Sequence, residues 1–168
     1  EDINQVLSRC NAKGRISQHA PDTGFARISA ARSTLIIDTG KTSDAPSFKG
    51  RYKDSLHHAA SRFAFEFSVG NAPFIVNTGQ GAAEPRLRSA FSQTAAHTAL
   101  TLDGIDNQHG ETRTTNFEIG PADGGFLFKA THDGYVKSHG ISHTRQLFLS
   151  RNGNNLRGSD QLHYSGAP

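Results

Sequence analysis

Residues 62–77 read Arg62-Phe63-Ala64-Phe65-Glu66-Phe67-Ser68-Val69-Gly70-Asn71-Ala72-Pro73-Phe74-Ile75-Val76-Asn77. Phenylalanines at 63, 65 and 67 alternate with smaller or polar residues, the period of an extended strand with one buried face. Val69-Gly70-Asn71-Ala72 is a turn sequence, and Pro73 to Asn77 returns as the second arm of a hairpin ending at Gly79. Runs of similar composition lie on either side: Phe25 to Ala30, Thr34 to Asp38, Thr98 to Leu102, Asn116 to Ile119, Phe126 to Thr131 and Ser142 to Ser150. Between them stand the turn formers Asp103-Gly104, Asp123-Gly124-Gly125 and Asn152-Gly153-Asn154. Short strands at this spacing predict an all-β fold, a stacked antiparallel β-sandwich. No helical period persists beyond about ten residues, which argues against crossover helices and a parallel sheet. At most one or two short helices are expected, one of them around Ile3 to Cys10 before a break at Gly14. Residues 1–23 read as a polar lead-in or linker and 24–168 as the domain. The connections Gly40 to Leu56 and Gly79 to Ser92 look long and irregular, and loops of this kind commonly display binding groups.

A length of 168 residues suits one domain, enough to bury roughly two thirds of the unfolded surface. The chain is 35% hydrophobic and 20% charged, the balance of a globular protein rather than a disordered one. No run approaches the roughly 18 to 20 apolar residues of a membrane-spanning helix, so no membrane partner is expected. The start, Glu1-Asp2-Ile3-Asn4, lacks the basic and apolar run of a signal peptide. With no methionine in it, the chain is expected to be a fragment or processed product of a longer protein. A single cysteine, Cys10, excludes an internal disulfide and a thiolate zinc cluster. The net charge of +3 and pI of about 9.3 favour an acidic polymer as partner. The basic residues are dispersed singly, as at Arg15, Arg27, Arg32, Arg51, Arg62, Arg86 and Arg88, and no Lys/Arg block or zinc-finger spacing marks a nucleic-acid module. No nucleic-acid partner is expected. Nine histidines are the compositional outlier.

Three further stretches carry a resemblance. The first is His57-His58-Ala59-Ala60-Ser61 leading into Arg62 to Phe67, with Phe74-Ile75-Val76-Asn77-Thr78-Gly79 after it. The second runs from Leu87-Arg88-Ser89 to Thr94-Ala95-Ala96-His97-Thr98-Ala99-Leu100-Thr101-Leu102-Asp103-Gly104. The third joins Thr131-His132-Asp133-Gly134-Tyr135 to His143-Thr144-Arg145-Gln146-Leu147. In register, they resemble the C-terminal β-domain of the heparinase II/III family of polysaccharide lyases, in its bacterial branch. The resemblance implies a periplasmic lyase in which an N-terminal toroid of helices, in the same full-length protein, closes an active-site cleft against this domain. It further implies an acidic polysaccharide as substrate, a catalytic histidine from the β-domain and, in some members, a metal site.

Elimination from a uronic acid needs three things. The carboxylate beside the acidic proton must be neutralised, so that the enolate-like charge is stabilised. A base must take the proton, and an acid must protonate the departing glycosidic oxygen. By resemblance, His57 occupies the catalytic position; the competing reading is an ordinary loop histidine. Ala59 stands where a metal-binding histidine is expected, and His58 reaches that slot only if the segment bulges by one residue. His58, Arg88 and Arg145 are the expected substrate-binding residues. Asn77 and His97 fall in the other two metal positions, but an amide is a weak, neutral ligand. The expected cofactor is therefore none, or weakly bound zinc. His97 could instead be a buried histidine bonded to backbone. His143 and Arg145 share a strand face with Leu147 and Leu149 by period-two counting, which favours a structural role for both. His132 to Tyr135 reads as a turn. The rival to the lyase reading is a non-catalytic carbohydrate-binding or assembly module with a decayed metal site.

Overall fold

The structure, a computed structural model, describes residues 18–21, 23–40, 60–78, 84–107 and 112–166. The described residues form two antiparallel sheets. In the first, β1 (His19–Ala20), β2 (Phe25–Ala30), β3 (Ser33–Asp38), β4 (Phe65–Val69) and β5 (Ala72–Ile75) pair in chain order. In the second, β6 (Thr114–Ala122), β7 (Gly125–Tyr135), β8 (Ile141–Ser150) and β9 (Leu156–Tyr164) do the same. A helix at Pro85–Phe91, a 3₁₀ turn at Thr94–Ala96 and a single helical turn at Val136–His139 complete it. The expected β-sandwich is the fold found.

Alternation in sequence becomes alternation in burial. Ala26, Ile28 and Ala30 of β2 are buried, as are Leu35 and Ile37 of β3, and the register sets Ile28 opposite Leu35. From the second sheet, Phe128, Ala130, Leu147 and Leu149 join them in one core. Phe63 closes that core, its ring edge-on to Phe128 with centroids 5.7 Å apart. Each such large apolar side chain contributes about 1.5–3 kcal/mol on full burial. At one end, the Ser33 hydroxyl donates to the Gly153 carbonyl across 2.8 Å, tying the β2–β3 turn to the β8–β9 turn. Gly153 has φ +73, and a Cβ there would lie 2.5 Å from the Ala30 carbonyl oxygen, so that join admits only glycine.

Four details differ from the sequence reading. Phe63 takes a left-handed φ of 61°, so the strand begins at Phe65 rather than Arg62. Thr98 to Leu102 has β-forming residues but no neighbouring strand, and its ladder contact is one isolated bridge, Leu102 to Ile105. His132 to Tyr135 is the end of β7 rather than a free turn, with the register slipping between His132 and Tyr135 against β8. Leu156–Tyr164, too polar to read as a strand, forms β9 at the sheet edge, where a mostly exposed strand needs no apolar face. The expected helix at Ile3 to Cys10 and residues 41–56 lie outside the described residues.

Candidate functional site

The end of β3, the start of β4, the end of the β4–β5 hairpin and the turn at residue 97 enclose a cleft of about 290 Å³. Its polar lining is Asp38, Ser61, Glu66, Asn77 and His97, and its apolar lining is Phe25, Ile36 and Ala64. Asp38 closes β3, and its carboxylate accepts the Gly40 N–H at 2.8 Å and the Ser61 hydroxyl at 2.5 Å. Burial pushes the Asp38 carboxyl up, against the opposing pull of the Ser61 and Gly40 bonds and of the Arg62 charge. Arg62 is itself buried and donates to the Thr114 hydroxyl. Gly40 (φ +59) lies so near it that an added Cβ would stand 2.8 Å from the guanidinium carbon.

His97 follows the 3₁₀ turn, its backbone N–H bonded to the Thr94 carbonyl. Its Nδ1 lies 2.9 Å from the Gln93 carbonyl oxygen. A carbonyl only accepts, so Nδ1 carries the proton and the neutral ring keeps its lone pair on Nε2. Asn77 sits across the cleft. Its Oδ1 accepts the Thr98 N–H at 2.8 Å and faces the Thr98 hydroxyl at 3.0 Å. Its Nδ2 donates to the Phe65 carbonyl at 3.3 Å, and its backbone N–H donates to Glu66 Oε1 at 3.2 Å.

The two expected metal positions, Asn77 and His97, thus meet at one cleft. They do not fit a zinc ion. Structural zinc takes four donors in a tetrahedron, whereas the Asn77 amide is neutral and already bonded, its Oδ1 to the Thr98 N–H and its Nδ2 to the Phe65 carbonyl. Among the described residues, no three His, Cys, Asp or Glu side chains converge to hold a metal. His57, His58 and Ala59 lie outside the described residues. Arg88 belongs to the Pro85–Phe91 helix, and its side chain also falls outside what is described.

Arg145 requires a correction. Expected at the substrate, it is buried, with four of its five N–H donors bonded within the protein. Nε and Nη2 grip the two Asp160 oxygens at 2.7 and 2.9 Å, while Nη1 donates to the carbonyls of Phe63 and Thr98. A guanidinium so held spends four of its five N–H groups inside the protein and anchors the backbone at Phe63 and Thr98, a structural role rather than a glycan contact. The shared face with Leu147 and Leu149, read from period-two counting, is present.

Beside it runs a chain of side chains that sequence reading missed as a unit. The Gly134 N–H donates to His132 Nδ1 at 3.1 Å, so that nitrogen bears no proton. His132 Nε2–H therefore donates to His143 Nδ1 at 2.9 Å, and His143 Nε2–H donates to Asp160 at 2.7 Å. Burial, then the charges of His143, Arg62 and Arg145, bring the His132 pKa down to about 3. Burial alone would raise Asp160, but the bonds from His143 and Arg145 outweigh it and hold this carboxyl well below the usual range. Tyr135, buried and donating to the Leu100 carbonyl, has its phenol pushed up to about 12, chiefly by burial. These are structural groups.

Sequence reading also missed Asp38, Ser61 and Glu66. The available signal was Asp38-Thr39-Gly40, an aspartate two residues ahead of a glycine at a strand end, where its side chain caps the turn.

The family profile described as "Heparinase II/III-like, C-terminal" matches residues 12–167. The chain belongs to this family. Its fold is similar to that of a solved heparinase III, the BT4657 gene product, with a TM-score of 0.66 and 18% identity over 96% of this chain. At that identity the likeness is one of fold. The chain spans 25% of the length of that protein. No curated protein matches.

Proposed function

We propose that this chain is the β-domain half of a polysaccharide lyase that cleaves an acidic, uronate-containing glycan by β-elimination. The observation that carries the reading is the cleft itself: His97, with its Nε2 lone pair uncommitted, lines it together with Asp38, Ser61 and Glu66. An imidazole of this kind accepts a proton or a hydrogen bond from a sugar without a metal. In this reading His57 is the main catalytic histidine and His58 and Arg88 bind substrate. Ser61, four residues after His57 in the sequence, lines the cleft. The complementary acid–base group comes from a helical toroid preceding this domain, in a protein working in the periplasm. Elimination needs both halves, and their relative orientation is worth several kcal/mol of barrier; the β-domain alone is therefore expected to be inactive.

A second reading, a non-catalytic carbohydrate-binding module, is favoured by two observations. Asn77 is locked by hydrogen bonds, and Arg145 is turned inward. The full-length protein, assayed on heparin, heparan sulfate and alginate for the ultraviolet absorbance of the new C=C bond, separates the two. Turnover supports the lyase, and binding without turnover supports the module.

A further inference from the structure

Thr98 belongs to no strand, yet it is held to the start of β4 as a strand neighbour would be. Its hydroxyl accepts the Phe65 N–H at 2.7 Å and lies 2.7 Å from the Phe65 carbonyl oxygen. Its own carbonyl accepts Arg145 Nη1. Its N–H goes to Asn77 Oδ1, and Asn77 Nδ2 returns to the same Phe65 carbonyl. The result is a closed knot of Asn77, Thr98 and Phe65, with His97 as the residue next to it in the chain. His97 is fixed from its other side by the Gln93 carbonyl at Nδ1.

We propose that Asn77 is a positioning residue: its amide clamps the 97–98 segment by hydrogen bonds where a metal would otherwise do so. His97 is thereby presented to the cleft as a metal-free imidazole in the Nδ1–H tautomer. The chemistry of the side chain at 77 argues for this. Donation to the Phe65 carbonyl needs an amide N–H, and a carboxylate in its place would set two bare oxygens together. A carboxylate there would suit a cation; an amide suits the knot. The ligand for the free Nε2 is then a hydrogen-bond donor, such as a sugar hydroxyl, rather than an ion. That last step rests on the lyase reading, whereas the clamp itself does not.

The test uses the chelator-treated protein and its variants Asn77→Asp and Asn77→Ala. Long-range ¹H–¹⁵N spectra of the neutral His97 ring, assigned with His97→Gln, are recorded before and after one equivalent of zinc. The wild type should show the Nδ1–H tautomer, unchanged by zinc, and should retain no zinc through dialysis. Both variants should lose that tautomer in favour of a mixture containing Nε2–H. If Asn77→Asp does not fold, Asn77→Ala decides, since it removes both amide bonds and sets no charge against the Phe65 carbonyl. Zinc bound by Asn77→Asp but not by the wild type would also support the clamp. One zinc retained per wild-type chain with the His97 signals displaced would overturn it, as would an unchanged tautomer in the folded variants. No readout depends on turnover, so failure here is distinct from failure of the lyase reading.

Discussion

His143 and Asp160 face each other across β8 and β9, with Nε2 2.7 Å from Oδ1, and that pair fixes the protonation of everything behind it. His143 must donate to the carboxylate, so its Nδ1 must accept from His132, whose other nitrogen accepts a backbone N–H. The same Asp160 holds Arg145, which holds the carbonyls of Phe63 and Thr98. One partly exposed carboxylate on an edge strand therefore orders both flanks of the cleft.

Removing it should be expensive. Asp160→Ala leaves the Arg145 charge buried without its partner, a change that costs about 3–5 kcal/mol at fully buried pairs. With the Asp160 side chain 34% exposed, the lower end, about 3 kcal/mol, is expected. Urea unfolding at constant m-value measures it, and a loss below about 1 kcal/mol would show that water replaces the pair.

Acid should destabilise the protein in two stages. His132 has a folded pKa of about 3 against 6.5 when exposed. The unfolded chain therefore takes up the proton first, and stability falls as pH drops from about 6.5 toward 3. Asp160, also depressed, adds the same sign below its ordinary 3.8, while Asp38, raised by burial, works against both. One proton gives at most about 1.4 kcal/mol per pH unit. His132→Gln should flatten the slope between pH 6 and 4 by up to that amount. Chemical denaturation at several pH values reads it, and an unchanged slope would remove His132 as its source.

At Gly134, an added Cβ would lie 2.0 Å from the Asn107 carbonyl oxygen. Gly134→Ala must push apart β7 and the 107 segment, and a loss of about 3 kcal/mol or more is expected, above the usual range for overpacking. A thermal melt within two degrees of wild type would contradict the close approach.

On the proposed lyase function, His57→Ala in the full-length protein should lower kcat by roughly 10² to 10⁴, the range for losing an acid–base group, with little change in stability. His58→Ala should cost much less. Full activity in the first variant and collapse in the second would shift the assignment by one residue, and full activity in both would take the segment out of catalysis.

The sequence was legible where burial alternates. In β2 and β3, Ala26, Ile28, Ala30, Leu35 and Ile37 carry the period and the core together. It was illegible where hydrogen bonding replaces burial. Leu156–Tyr164 is a strand only because β8 offers it a ladder, and Thr98 to Leu102 is not one because it meets Phe65 through a side chain. The same holds at the site. The resemblance led to Asn77 and His97, which do meet. Asp38, Ser61 and Glu66 were hidden because the pairing of β3 with β4, a long-range event, brings them there. Arg145 was misplaced because a polar residue on a strand says nothing of whether its partner is a glycan or an aspartate on the next strand.

The proposed elimination is read most simply from the mass of the products that the full-length protein releases from a uronate-containing glycan. Elimination leaves each new non-reducing end unsaturated and lighter by one water than hydrolysis would leave it. Such products are expected, and so is their loss in His57→Ala. Intact glycan that remains bound, or saturated ends with the water added, would contradict it.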